Sequence, residues 1–138
     1  MKKIKVSDIL SGSHSLMNDI VVGTAGNLKD AEIIIKIDDL LKERGVTQKD
    51  LAMMTGMRVG TISELVNGKG ISFNKIQLLS IMVALRVTSF SEIFEIRFPE
   101  ELHKHYEGQS AEWKSDKEMP IEVKEMYREN VLKANNLA

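Results

Sequence analysis

The stretch Thr47–Lys69, TQKDLAMMTGMRVGTISELVNGK, constrains the fold more tightly than any other part of the chain. Thr47-Gln48-Lys49-Asp50 has capping-box spacing, with Asp in place of the usual Glu, so a helix opens after Thr47. Leu51, Ala52 and Met54 give that helix an apolar side, and the small Ala52 lets a second helix approach closely. Gly56 takes a left-handed backbone angle at little cost and ends the helix. Met57 fills the corner. A second helix follows over about 58–66, with Ile62, Leu65 and Val66 inward, and Asn67-Gly68-Lys69-Gly70 ends it. Two short helices meeting at a tight turn are therefore expected.

Further helices are expected around this pair. Asp30 is placed as an N-cap, and Ile33, Ile37, Leu40 and Leu41 recur at helical spacing, so residues 31–45 read as a helix closed by Gly45. Ile34 and Ile35 widen its apolar stripe. Ser72 or Asn74 caps a helix over about 74–86, whose many apolar positions, from Ile76 to Leu85, mark it as central to the core. Ser89 or Ser91 opens a short fifth helix containing Ile93 and Phe94. An all-α domain over residues 31–96 follows, its core mainly aliphatic because the chain holds only one Trp, two Tyr and four Phe.

The ends are less regular. Residues 1–30 read as an N-terminal arm: Ser7 opens a short helical turn ending near Gly12, Ile20-Val21-Val22 is a short strand or packed arm, and Gly23–Asn27 is a turn. Residues 97–138 read as a charged linker and a C-terminal amphipathic helix, over about 120–133, carrying Val123, Tyr127 and Val131. That stripe docks on its own domain or on a second subunit. Trp113 packs the tail or anchors an interface.

Several classes are excluded. The chain has no Cys, hence no disulfide framework and no thiolate metal site, which fits a cytoplasmic protein. Its longest apolar run near the amino end is too short for a signal segment or a membrane span. His103 and His105, with Glu100, Glu101, Glu107 and His14 as further candidate ligands, read as a solvated charged segment, so no metal and no cofactor is expected. There is no nucleophile elbow and no zinc-protease His pair, so no enzyme is expected.

Taken together, Leu40–Gln48, Leu51-Ala52, Thr55-Gly56-Met57, Thr61-Ile62-Ser63, Leu65, Asn67-Gly68-Lys69, Ala84-Leu85 with Val87, and Glu92-Ile93-Phe94 resemble the lambda-repressor-like (Xre/Cro-type) helix-turn-helix family. The resemblance spans about residues 33–94. It implies a five-helix domain that binds double-stranded DNA as a transcriptional regulator of bacterial or phage type, a homodimer on a palindromic operator. Carried onto matching positions, it implies that Gln48, with Lys49 beside it, contacts phosphate and supports the reading helix. It places Arg58, Val59, Gly60, Thr61 and Glu64 on that helix, and Asn67 and Lys69 in a loop facing the DNA backbone.

The chemistry fits in part. Thr61 suits a phosphate oxygen, Arg58 reaches guanine or phosphate, Val59 meets a thymine methyl, and Glu64 accepts from cytosine N4. Yet Val59 and Gly60 offer no hydrogen-bonding side chain, and the chain's net charge of −1 is not concentrated into a basic segment. An alternative is a protein-binding regulator on the same fold, such as an antitoxin or a modulator of another repressor. A small-molecule sensor has less support, because a tail of about forty residues is short for a ligand domain.

Overall fold

The computed structural model describes residues 1–11, 16–69 and 74–137. Gly12, His14, Gly70 and Ser72, which the sequence reading used, lie outside them. The chain forms two compact units: Met1–Ile4 with Glu32–Arg97, and Lys5–Ala31 with Phe98–Ala138. Most of the amino-terminal arm, from Lys5 on, thus shares one unit with the tail, while Met1–Ile4 belongs to the other.

The first unit is not all-α. A three-stranded sheet in the order β1 (Lys2–Lys5), β2 (Glu32–Ile35), β3 (Phe94–Arg97) accompanies its helices. β2 and β3 are antiparallel, with Ile33 opposite Ile96 and Ile35 opposite Phe94. This corrects two expectations. Residues 32–35 are a strand, so Asp30 caps no helix, and α3 (Ile37–Arg44) starts later, after Lys36. Likewise, the expected fifth helix is a 3-10 turn over Phe90–Glu92, opened by Ser89, whose N–H donates to Glu92 Oε2 at 3.3 Å, and it runs into β3. The reason is pairing: Glu32–Ile35 and Phe94–Arg97 satisfy each other's backbone groups, which neither segment reveals alone.

The rest of the unit follows local signals. α4 (Gln48–Thr55), α5 (Val59–Asn67) and α6 (Lys75–Leu85) succeed α3. Gly45, Gly56 and Gly68 end α3, α4 and α5 in left-handed geometry, and Asn74 caps α6 by accepting from the Gln77 N–H. Ile37, Leu51, Ile62, Ile81 and Ile93 are fully buried in one aliphatic core. Arg44 Nε donates to the Leu85 carbonyl at 2.8 Å, joining the ends of α3 and α6. α6 is less central than its composition implies. Ile81 and Leu85 are buried, but Ile76, Leu79 and Val83 are 77%, 60% and 63% exposed.

The second unit holds α1 (Val6–Leu10), α2 (Leu16–Ala25), a 3-10 turn over Gly26–Leu28, α7 (Glu100–Asp116) and α8 (Ile121–Leu137). α1 follows Lys5, which is its N-cap in place of Ser7 and makes no side-chain cap bond. Ile20-Val21-Val22 lies within α2, not in a strand. Residues 100–116, expected as linker, are helical because Leu102, Tyr106 and Gln109 recur on one half-buried face. The Phe98 ring meets His103 and Tyr106 edge-on, with centroids 6.2 and 5.9 Å apart. Asn130 Nδ2 donates to Thr24 Oγ1 at 3.0 Å, tying α8 to α2.

Candidate nucleic-acid interface

The α4–turn–α5 element is built by its caps. Thr47 Oγ1 accepts from the Asp50 N–H at 3.1 Å, and Asp50 Oδ2 accepts from the Thr47 N–H at 2.9 Å. The Thr47 N–H donating to it, with the Thr47 hydroxyl beside it, holds the Asp50 carboxyl below the usual carboxylate range. Gly56, at φ +82°, turns the chain. Thr55 Oγ1 donates to the Leu51 carbonyl at 2.8 Å and accepts from the Met57 N–H at 3.2 Å, bracing the corner. Met57 packs against the core, whereas Met54, expected inside, is exposed because α4 turns it away.

α5 buries Ile62, Leu65 and Val66. Rotating about 100° per residue from that face, Gly60, Ser63, Glu64 and Asn67 form the outward stripe, at i, i+3, i+4 and i+7. Val59 and Thr61 stand on its flanks. Arg58 is the N-cap, extended and exposed, and its side chain caps nothing. Among the described residues no side chain accepts from the first-turn N–H groups of α5, which are open to a phosphate oxygen. Lys69 is exposed just beyond α5, while its backbone N–H closes the helix on the Glu64 carbonyl at 2.9 Å. Asn67 is the last residue of α5, not a loop residue, and its amide donates to the Ser63 carbonyl at 2.9 Å. Gln48 is half-buried in the first turn of α4 and Lys49 beside it is exposed.

The element thus gathers Val59, Gly60, Thr61 and Glu64 on one short helix, with Arg58 at its start, Lys69 just beyond its end, and Gln48 and Lys49 on the preceding one. Among the described residues, Lys49, Arg58, Glu64 and Lys69 enter no ion pair. Three cations are consequently available to phosphates. Ser63, not among the expected contacts, also falls on the outward stripe in a helical projection centred on Ile62, Leu65 and Val66. Gly60 stands apart from the cap glycines: a Cβ built there meets nothing within 4 Å, and its φ is not in the left-handed region. Folding does not require glycine at this position.

The histidines lie in the second unit. His103 Nε2 is 3.3 Å from Glu107 Oε1, and His105 Nε2 is 2.9 Å from Glu122 Oε1. Among the described residues no group of three or more His, Asp or Glu side chains is placed to hold a metal ion, and no helix is long and apolar enough to cross a membrane.

Neither a curated protein nor a solved structure matches the chain. Residues 36–99 match the family model of the Cro/C1-type HTH DNA-binding domain, the segment that runs from the Lys36 cap of α3 to Pro99 after β3. The chain carries a helix-turn-helix domain of the Cro/C1 type.

Proposed function

We propose that this protein is a cytoplasmic transcriptional regulator that reads double-stranded DNA sequence-specifically, with α5 in the major groove, as a homodimer on a palindromic operator. The observation that carries this reading is Gly60, a glycine with no folding role on the outward stripe of a Cro/C1-type domain. A missing side chain there lets DNA approach the helix backbone closely. Arg58, Lys49 and Lys69 serve phosphates, with Gln48 and Thr61 adding hydrogen bonds. Val59 meets a thymine methyl; Glu64, Ser63 and Asn67 face base edges. Because Val59 and Gly60 offer base edges no hydrogen-bonding side chain, DNA shape contributes to selectivity.

In vitro selection of duplexes on the full chain, beside its mass in solution, tests this reading. A palindrome and a dimer are expected, and Arg58→Ala and Lys69→Ala should each weaken binding to the selected site. If neither change alters that binding, the reading face is misassigned.

A second reading, a protein-binding regulator such as an antitoxin or a modulator of another repressor, is favoured by the exposed Ile76, Leu79 and Val83 stripe on α6. A co-purifying protein together with no DNA retention at low salt would select it.

A further inference from the structure

The second unit contains a cleft of about 980 Å³, within the size range of small-molecule sites. Its walls come from α7, α8 and the end of α2 with the turn that follows. Leu28, Tyr106, Trp113 and Met126 give it an apolar, partly aromatic lining. The tail alone would be too short to enclose such a space. The arm supplies the third wall, removing the size argument against a ligand-binding unit.

The charges lining the cleft are unequal. Among the described residues Glu122 is the only acid lining it, and that carboxylate is already engaged by His105 Nε2 at 2.9 and 3.0 Å, which holds its carboxyl below the usual range. Lys114 and Lys117 line the cleft beside Trp113. Neither forms an ion pair with a described residue; Lys117 Nζ donates only to the Lys114 carbonyl, at 3.4 Å. Asp116 and Glu118 are their neighbours in sequence but do not line the cleft. An aromatic wall beside two unpaired cations is complementary to a flat apolar body bearing one negative charge.

We propose that this cleft binds a small amphipathic organic anion, an aromatic ring system carrying a single carboxylate or sulfonate, with the ring against Trp113 and the charge at Lys114 and Lys117. The inference is independent of the DNA reading.

Trp113 is the only tryptophan in the chain, so its fluorescence reports on the cleft directly. The full chain is titrated with the anionic probe 8-anilinonaphthalene-1-sulfonate and, separately, with the neutral probe N-phenyl-1-naphthylamine. Saturable binding of the sulfonate with energy transfer from Trp113 is expected. The double variant Lys114→Gln/Lys117→Gln should weaken the sulfonate by about tenfold and leave the neutral probe unchanged. Lys2→Gln/Lys3→Gln, the same charge change in the other unit, should alter neither probe. Circular dichroism on each variant establishes that the fold is retained. The proposal is overturned if sulfonate binding is non-saturable, if it proceeds without energy transfer from Trp113, or if the two double variants behave alike.

Discussion

The side chain of Ile4 occupies the space into which any side chain at Gly68 would project. A Cβ at Gly68 would collide with Ile4 Cδ1 and lie within 3.3 Å of Ile35 Cδ1, and Gly68 itself sits at φ +68°. The amino-terminal strand is thereby packed on the closing turn of α5, the helix assigned to reading. Gly68→Ala combines left-handed strain with overpacking and should destabilise the protein by about 2–4 kcal/mol. Adding Ile4→Ala should recover part of that loss. Urea denaturation of the two single variants and the double variant measures the coupling, and additive losses would mean that Ile4 and Gly68 do not touch.

Gly60 should behave oppositely. Its surroundings are open, and alanine favours a helix over glycine by up to about 1 kcal/mol. Gly60→Ala should therefore leave the thermal midpoint equal or higher while weakening affinity for a selected duplex. Unchanged affinity would remove Gly60 from the interface.

The capping box should govern the acid limb of stability at α4. Thr47→Ala removes the bond to the Asp50 N–H and should cost about 1 kcal/mol at neutral pH. The Asp50 carboxyl is held low in the folded state. Its contribution is thus present above the ordinary carboxylate value and fades as pH falls through the lowered one. Asp50→Asn should flatten that part of the stability–pH profile, below the ordinary carboxylate value. A profile indistinguishable from the parent would show that the box contributes nothing.

Arg86 closes α6 in left-handed geometry, at φ +54°, where α3, α4 and α5 use glycine. Arg86→Gly relieves that strain and should stabilise the domain by about 0.5–1 kcal/mol. A loss of stability would indicate that the Arg86 side chain makes a compensating contribution.

The helix-turn-helix was legible in the sequence because its determinants are local. Thr47 with Asp50, Gly56, Gly68 and Asn74 fix where α4, α5 and α6 begin and end, each within one turn of chain. The outward stripe of α5 follows from the positions of Ile62, Leu65 and Val66. Ser63 joins that stripe by projection, although its family position does not mark it. α7 was also within reach, since Leu102, Tyr106, Gln109 and Trp113 keep helical spacing among the charges.

Only the tertiary structure decided the rest. The run Ile33-Ile34-Ile35 suits a helix or a strand equally, and it is a strand because Phe94–Arg97 lies beside it, some sixty positions along the chain. The eight apolar residues of α6, Ile76 to Leu85, look alike in sequence, yet burial selects Ile81 and Leu85 and leaves Ile76, Leu79 and Val83 in solvent. The arm and the tail carry no sign of each other, and their shared cleft exists only once the chain brings α2 to α7 and α8. Caps and turns are specified by neighbouring residues competing for the same few backbone groups. Strand pairing, burial and cavities depend on partners far away in sequence, and no local pattern names them.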